Sequence, residues 1–312
     1  MIKFKIILIF ISGLLFFFGC DNYCKNDYEN NSPTSGKLKL YCNEGIQLHI
    51  KNQVYTFCSL YPHSVIESIS LTESESVEAL LKDSCKAIII NRLLSENEKK
   101  RFEQKNLFPK YSPIAKTGVA LITNRFSAIS KLTLEQIKQL LNGELILKDS
   151  LNKTFIPTAI IDNKNSSVSH YLLDSFLQAK SFGPKCFALN NSLDLIKEIS
   201  EVPNQIGFID FAWLSDRDDE LFKMYEGKIK FIAIGKTDNA FYEPNQSSFK
   251  TGEYPFTRTI YFLRRSDDFT LAKGFEAYIA GPKGQLTFLK QGLLPYRQAE
   301  RIIEIKMEPL PQ

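Results

Sequence analysis

The stretch "DNKNSSVSHYLLDSF", residues 162–176, places many hydrogen-bonding groups just before an apolar pattern of helical spacing. The first N–H groups of a helix have no partners within the helix, and the helix dipole adds partial positive charge there. A helix that begins at Ser166 or Ser167 is therefore suited to bind an anion, and both hydroxyl groups can donate as well. The alternative is that Asn165, Ser166 or Ser167 only caps the helix.

Polar residues also follow two other predicted strands. Asn43 and Glu44 come after "KLKLYC", and Arg92 comes after "KAIII". A guanidinium group can bind two oxygens of an oxyanion at once, and a glutamate can accept a hydrogen bond from hydrogen phosphate that sulfate cannot donate. The alternatives are that Asn43 is a helix cap and that Arg92 pairs at the surface with Glu96 or Glu98.

Strands and helices alternate along most of the chain, and this alternation predicts an α/β fold. Two helix starts carry capping boxes, Ser95 with Glu98 and Thr133 with Gln136. The predicted strands are "KLKLYC", "VIESISL", "KAIII", "GVALITN", "FIPTAIID", "IGFIDF", "KIKFIAIG", "RTIYFL" and "RIIEIK". The predicted helices are "IQLHIKNQVYTFCSLYP", "SVEALLKD", "SVSHYLLDSFL", "SLDLIKEIS" and two between about Phe269 and Gly292.

The N-terminus predicts export. Lys3 and Lys5 precede an apolar run from Ile6 to Phe18, which is typical of a signal peptide at residues 1–19. The run ends at Gly19-Cys20 and resembles the lipobox of bacterial lipoproteins, in which the cysteine receives the lipid. Residues 20–36 are rich in Asn, Asp and Ser and predict a flexible tether behind a lipid on Cys20.

Charge and motifs argue against several classes of function. Removal of residues 1–19, with two lysines, takes the formal net charge from +4 to +2, which gives no basic footprint for nucleic acid. The six cysteines and three histidines show no spacing typical of a metal or redox site, so we expect neither metal nor cofactor. The motifs G-x-S-x-G and H-E-x-x-H are absent, and we expect no catalysis.

Several segments carry a family resemblance in the same order along the chain. They are "YCNEGIQLHIKNQVYTFCSLYP", "IIINRLLSENEKKRFEQKNLFPKYSPIAKTGVALITN", "LTLEQIKQLLNGE", "DNKNSSVSHYLLDS", "PNQIGFIDFAWLSD", "YPFTRTIYFL" and "FLKQGLLPYR". Together they cover nearly all of residues 37–301, and the chain resembles the phosphate-binding proteins of phosphate ABC transporters. The likeness is greatest to lipoprotein relatives that have a Ser-Ser-Thr motif in the anion-binding loop.

The resemblance implies a two-lobed type II periplasmic-binding-protein fold. Each lobe would hold a mixed sheet, and two crossover strands, near residues 118–124 and 232–236, would form the hinge. Lobe 1 is then residues 37–122 plus 234–312, and lobe 2 is residues 123–233. A ligand would bind in the cleft between the lobes.

The resemblance also implies a ligand site. We expect it at Asn43, Glu44, Arg92, Thr117, Asn165, Ser166, Ser167 and His170. Three positions depart from the family pattern: Thr117 stands where relatives tend to have aspartate, Val168 replaces threonine and His170 replaces arginine. Arg258 matches a family motif, and we expect it to pair with a carboxylate rather than to bind ligand.

Two functions follow from these expectations. In the first, a lipid-anchored monomer binds phosphate or a related oxyanion and delivers it to an ABC permease; its lipid is its only contact with the membrane. In the alternative, a non-transport envelope lipoprotein keeps the fold with a degenerate site and acts as a sensor or a protein-interaction module.

Overall fold

The computed structural model describes residues 31–148, 153–265 and 270–297. The predicted signal peptide, Cys20, most of the predicted tether and the predicted strand "RIIEIK" lie outside these residues. Within the described ranges, none of the helices has the length and apolar character needed to cross a membrane.

Fourteen strands are present in the described part of the chain. They are β1 Gly36–Cys42, β2 Ser64–Ser70, β3 Ala87–Ile90, β4 Lys110–Asn124, β5 Lys131–Thr133, β6 Leu147–Lys148, β7 Thr154–Phe155, β8 Thr158–Ile161, β9 Cys186–Ala188, β10 Gln205–Asp210, β11 Ile229–Phe231, β12 Ala233–Gly235, β13 Thr257–Arg264 and β14 Leu294–Pro295.

Ten α-helices lie between or after these strands. They are α1 Gln47–Leu60, α2 Glu73–Leu81, α3 Glu96–Glu103, α4 Leu134–Asn142, α5 Ser167–His170, α6 Ser192–Glu201, α7 Glu220–Tyr225, α8 Gln246–Thr251, α9 Leu271–Ile279 and α10 Pro282–Lys290. A 3₁₀ turn, Glu44–Ile46, leads into α1, another, Phe211–Leu214, follows β10, and α5 continues as a π-helix, Tyr171–Leu177.

One long strand, β4, joins two mixed halves of the main sheet. The strand order is β2-β1-β3-β13-β4-β10-β8-β9. Residues 110–118 of β4 pair with β13, and residues 119–124 pair with β10 and β11. We call β1, β2, β3 and β13 the first half and β8, β9, β10 and β11 the second half. The change of partner at Gly118 and Val119 lies where the first crossover was predicted.

The core follows the apolar pattern of the sequence. Residues 119–122 of β4 are fully buried, and α6, α8 and α10 pack against this strand. Cys42 and Cys85 are buried free thiols that pack in the core as small apolar residues. Both predicted capping boxes are confirmed, at the starts of α3 and α4.

Several predicted boundaries were wrong. "GVALITN" is only the second part of β4, because Pro113 and the polar residues around it hid the first part. "FIPTAIID" forms two short strands, interrupted at Ile156-Pro157 because proline cannot donate to a sheet. "KIKFIAIG" also forms two strands: β11 pairs with β4, and β12 pairs with β5. The helix α8, which follows β12, was not predicted.

Candidate functional site

A cavity of about 230 Å³ lies where the loops after β1, β2 and β8 meet the end of β10. Carboxyl ends of parallel strands, where the next helices begin, are the usual ligand position in open α/β sheets. We call this space the cleft cavity. It is lined by Asn43, Glu44, Gly45, Ser70, Leu71, Thr72, Glu75, Asp162, Asn163, Ser166, Ser167, Val168 and Asp210.

The start of α5 forms one wall of the cleft cavity. Ser166 caps the helix: its Oγ accepts from the Ser169 N–H at 3.1 Å and donates to Asp162 Oδ1 at 2.6 Å. Ser167 is buried, and its Oγ accepts from Arg258 Nη1 at 3.2 Å, which leaves its own proton for another acceptor. Among the described residues, no acceptor takes the N–H of Ser167 or Val168. Ser166 therefore acts as the helix cap, whereas the N–H groups of Ser167 and Val168 take no part in capping.

The loop after β1 forms the opposite wall. Asn43 Oδ1 accepts from the Gly45 N–H at 2.7 Å, so Asn43 is a cap, as the alternative interpretation held. The side chain of Glu44 lines the cavity, and partial burial raises the pKa of its carboxyl group. A glutamate in this state is more readily protonated than one in water.

Asp210 is the buried centre beneath the two walls. Its Oδ1 accepts from Thr117 Oγ1 at 2.6 Å and from the Ala212 N–H at 3.0 Å. Its Oδ2 accepts from Asn91 Nδ2 at 2.8 Å and forms an ion pair with Arg258. The prediction that Arg258 pairs with a carboxylate is confirmed. Asp210 thus ties the first half of the sheet to the second.

Gly45 brings the loop after β1 against Asp210. A Cβ at this position would lie 2.7 Å from Asp210 Cβ, which is closer than any real contact of that kind. Only glycine therefore allows the backbone to approach this closely, and the two sides of the cleft cavity meet here.

Arg92 lies elsewhere than the sequence suggested. Its guanidinium donates to both Glu98 carboxylate oxygens, at 2.7 and 2.9 Å, and its Nε donates to Glu73 at 3.1 Å. It does not line the cleft cavity. The pairing with Glu98, which the sequence left open as an alternative, is the one present.

Four of the eight predicted site residues line the cleft cavity and four do not. Those at the cleft cavity are Asn43, Glu44, Ser166 and Ser167, and those away from it are Arg92, Thr117, Asn165 and His170. Thr117 is fully buried because its hydroxyl group serves Asp210. Asn165 is exposed, and His170 is half-buried one turn along from the cavity wall.

Acidic side chains dominate the charge of the lining. The described residues around the cavity include Glu44, Glu75, Asp162 and Asp210, and no lysine, arginine or histidine. Burial raises the pKa of Asp162 to about 6, although Ser166 and other donors act against this. The described part of the chain has no cluster of three His, Cys, Asp or Glu side chains arranged for a metal ion.

Two of the residues that matter most were not predicted. Asp162 begins the quoted stretch and Asp210 ends a buried strand, so the position after a strand, which singled out Arg92, would have singled out both. Gly45 had no comparable signal, because its role depends on a residue 165 positions away in the chain.

Residues 30–283 match the model of the family described as "PBP superfamily domain". The chain belongs to this family. No curated protein matches the sequence.

Solved structures share the fold at low sequence identity. A phosphate ABC transporter substrate-binding protein from Clostridium perfringens, with bound phosphate, superposes with a TM-score of 0.70 at 17% identity, covering 84% of this chain and 100% of the other. An ABC-type phosphate transport receptor from Vibrio cholerae gives 0.64 at 14%, with coverages of 82% and 99%. The regulatory domain of MetR, a LysR family regulator from N. meningitidis, gives 0.54 at 13%, with coverages of 84% and 98%. The type II periplasmic-binding-protein fold expected from the sequence is confirmed.

Proposed function

We propose that the protein is an exported, lipid-anchored binding protein that takes phosphate or a related oxyanion into the cleft cavity for an ABC importer. The observation that carries this is the cavity at the start of α5, with N–H groups of Ser167 and Val168 that have no acceptor among the described residues. The fold shared with two phosphate-binding transport proteins supports the same assignment. Export and attachment at Cys20 rest on the sequence alone.

The proposed ligand contacts use both donors and acceptors. The N–H groups of Ser167 and Val168 and the hydroxyl group of Ser167 would donate to oxyanion oxygens. Arg258 would orient the Ser167 hydroxyl group, since its Nη1 donates to Ser167 Oγ at 3.2 Å. Glu44 and Asp162 would each accept a hydrogen bond from the O–H group of the ligand, which favours hydrogen phosphate over sulfate.

A degenerate site is the second candidate, and two observations favour it. Arg92, the predicted cationic anchor, is held by Glu73 and Glu98. The described lining of the cleft cavity contains four acidic side chains and no basic one, which would repel a fully ionised oxyanion. In this case the protein would act as a sensor or interaction module at the envelope, and regulatory domains do share its fold.

Calorimetric titration distinguishes the two functions. The chain without residues 1–20 would be titrated with phosphate, arsenate, sulfate and a phosphonate after bound anion has been removed. We expect phosphate to bind at micromolar Kd or tighter, about 8 kcal/mol. Ser167→Ala should weaken it about tenfold, as for a hydrogen bond to a charged group.

Arg92→Ala is the matched control, because Arg92 lies outside the cleft cavity. It should leave the phosphate Kd within about twofold after its effect on stability is taken into account. If the folded protein binds none of the anions, the oxyanion assignment is wrong and the degenerate site is correct.

A further inference from the structure

A larger second cavity, of about 820 Å³, adjoins the segment that follows Asp210. Asp210 lines the cleft cavity, while Phe211, Leu214 and Ser215 line this second one. Its walls also include Ile122 of β4 and Leu289 at the end of α10. Its volume lies within the range of about 300–1,000 Å³ that is usual for small-molecule sites. We call it the rear cavity.

Four aromatic residues contribute to the lining of the rear cavity. Phe211 and Phe231 pack at a centroid separation of 5.8 Å, and Phe222 and Tyr225 contribute from α7. Phe211 is buried, and the other three are half-buried. Partly covered rings that face a hollow favour a ligand with a flat apolar part.

Basic groups line the rear cavity as well. Arg125, Arg217, Lys230 and Lys290 contribute to its wall. Lys230 Nζ already donates to the Ser127 carbonyl oxygen at 2.6 Å. The other three side chains form no ion pair with any residue of the described ranges, so their donors face solvent or a ligand.

Acidic groups balance these basic ones. Asp216, Asp218, Glu226 and Glu243 also belong to the wall, which makes its formal charge zero. Asp216 Oδ1 accepts from the Asp218 N–H at 3.0 Å. The carboxylate groups of Glu226 and Glu243 have no hydrogen-bond or ion-pair partner among the described residues. An ion of one sign would meet as much repulsion as attraction here, but a molecule with both charges gains from each set.

We infer that the rear cavity is a second ligand site, for an aromatic zwitterion, namely an aromatic amino acid or a short peptide that contains one. The rings would hold the aromatic side chain, and the mixed charges would hold the ammonium and carboxylate groups. The volume exceeds that of one amino acid and therefore admits both forms of ligand. This inference does not depend on the ligand of the cleft cavity.

Trp213 offers a direct readout. It is the only tryptophan of the chain and lies in the segment that borders the rear cavity. The lipid-free protein would be titrated with L-phenylalanine, with the tripeptide Gly-Phe-Gly, and with phenethylamine and 3-phenylpropionate, each of which keeps one of the two charges. Trp213 emission would be followed, with calorimetry as a second measurement.

We expect L-phenylalanine or Gly-Phe-Gly to bind with a Kd of about 1 mM or tighter, and whichever binds tighter shows whether the natural ligand is the amino acid or the peptide. Both single-charge probes should bind about fivefold more weakly, which is the upper end of the effect of one exposed charge pair. Arg217→Gln and Glu243→Gln should each produce a similar loss, whereas Lys180→Gln, at an exposed position outside the cavity, should not.

Absence of binding by both zwitterions in folded protein would overturn the inference, and so would equal binding of all four probes. Binding that neither Arg217→Gln nor Glu243→Gln weakens would place the ligand elsewhere and would also overturn it. Phosphate binding in these two variants should equal that of the unchanged protein, so failure of this site and failure of the proposed oxyanion site are separable.

Discussion

Replacing Asp210 by alanine should destabilise the protein more than almost any other single polar change. The carboxylate accepts four hydrogen bonds, and both it and Arg258 are almost completely buried, with side-chain exposures of 2% and 4%. Asp210→Ala leaves the guanidinium without its ion pair and removes the acceptor of Thr117 and Asn91. Removal of one partner from a buried pair costs about 3–5 kcal/mol.

Urea unfolding measures this directly. With a denaturant slope of about 3 kcal/mol/M, the expected loss moves the unfolding midpoint down by about 1–2 M. Asp238→Ala is the matched control, because Asp238 is exposed and belongs neither to the buried pair nor to the lining of the cleft cavity, and its midpoint should not move.

The double variant Asp210→Asn, Arg258→Met tests whether the charge left behind is the cause. It removes both charges together, so it should lose less stability than Asp210→Ala does alone. A loss below about 1 kcal/mol for Asp210→Ala would refute the reasoning, because it would mean that water reaches Arg258 and that the pair does not join the two halves of the sheet.

Three other predictions follow from individual contacts. Gly45→Ala should weaken ligand binding in the cleft cavity at least about tenfold and lower the free energy of unfolding by about 1–3 kcal/mol, because the new Cβ would lie 2.7 Å from Asp210 Cβ. Calorimetry measures the first effect and urea unfolding the second, and unchanged affinity would contradict the prediction. Burial lowers the pKa of His49, so the stability that neutral His49 contributes is present above the unfolded pKa of about 6.5 and is lost as the pH falls below that value. The urea midpoint of His49→Gln should therefore depend less on pH between about 7.5 and 5.5 than that of the unchanged protein. Equal pH dependence of the two midpoints would be evidence against this prediction. Ser95→Ala should cost about 1 kcal/mol through loss of the capping box with Glu98, and a thermal melt without a shift would show that the cap is dispensable.

Local signals predicted the elements of the fold well. The capping boxes at Ser95 and Thr133 marked the true starts of α3 and α4 because they depend only on residues three positions apart. β3 was recognisable from its continuous apolar run, since a strand covered on both faces needs no alternation. The first part of β4 was missed because its polar residues are explained only by its pairing with β13.

The site was harder to predict because its chemistry depends on which partner each side chain finds. Arg92 had an acidic alternative close in sequence, Glu98, and a second, Glu73, on α2, and these two hold it away from the cavity. Thr117 was chosen as a ligand but is occupied by Asp210, which lies 93 positions later. A single sequence shows the inventory of donors and acceptors but not how distant ones are matched.

The position of β13 bears on how the chain reaches its folded state. This strand lies between β3 and β4 in the sheet, yet more than 130 residues separate Asn124 from Thr257 along the chain. While a nascent chain is shorter than 257 residues, facing edges of β3 and β4 have no strand to fill the space between them, and such edges invite aggregation. Formation of contacts this distant is slow. Folding of the first half of the sheet is thus postponed until β13 has been synthesised, and truncations that remove β13 should yield insoluble fragments rather than a smaller domain.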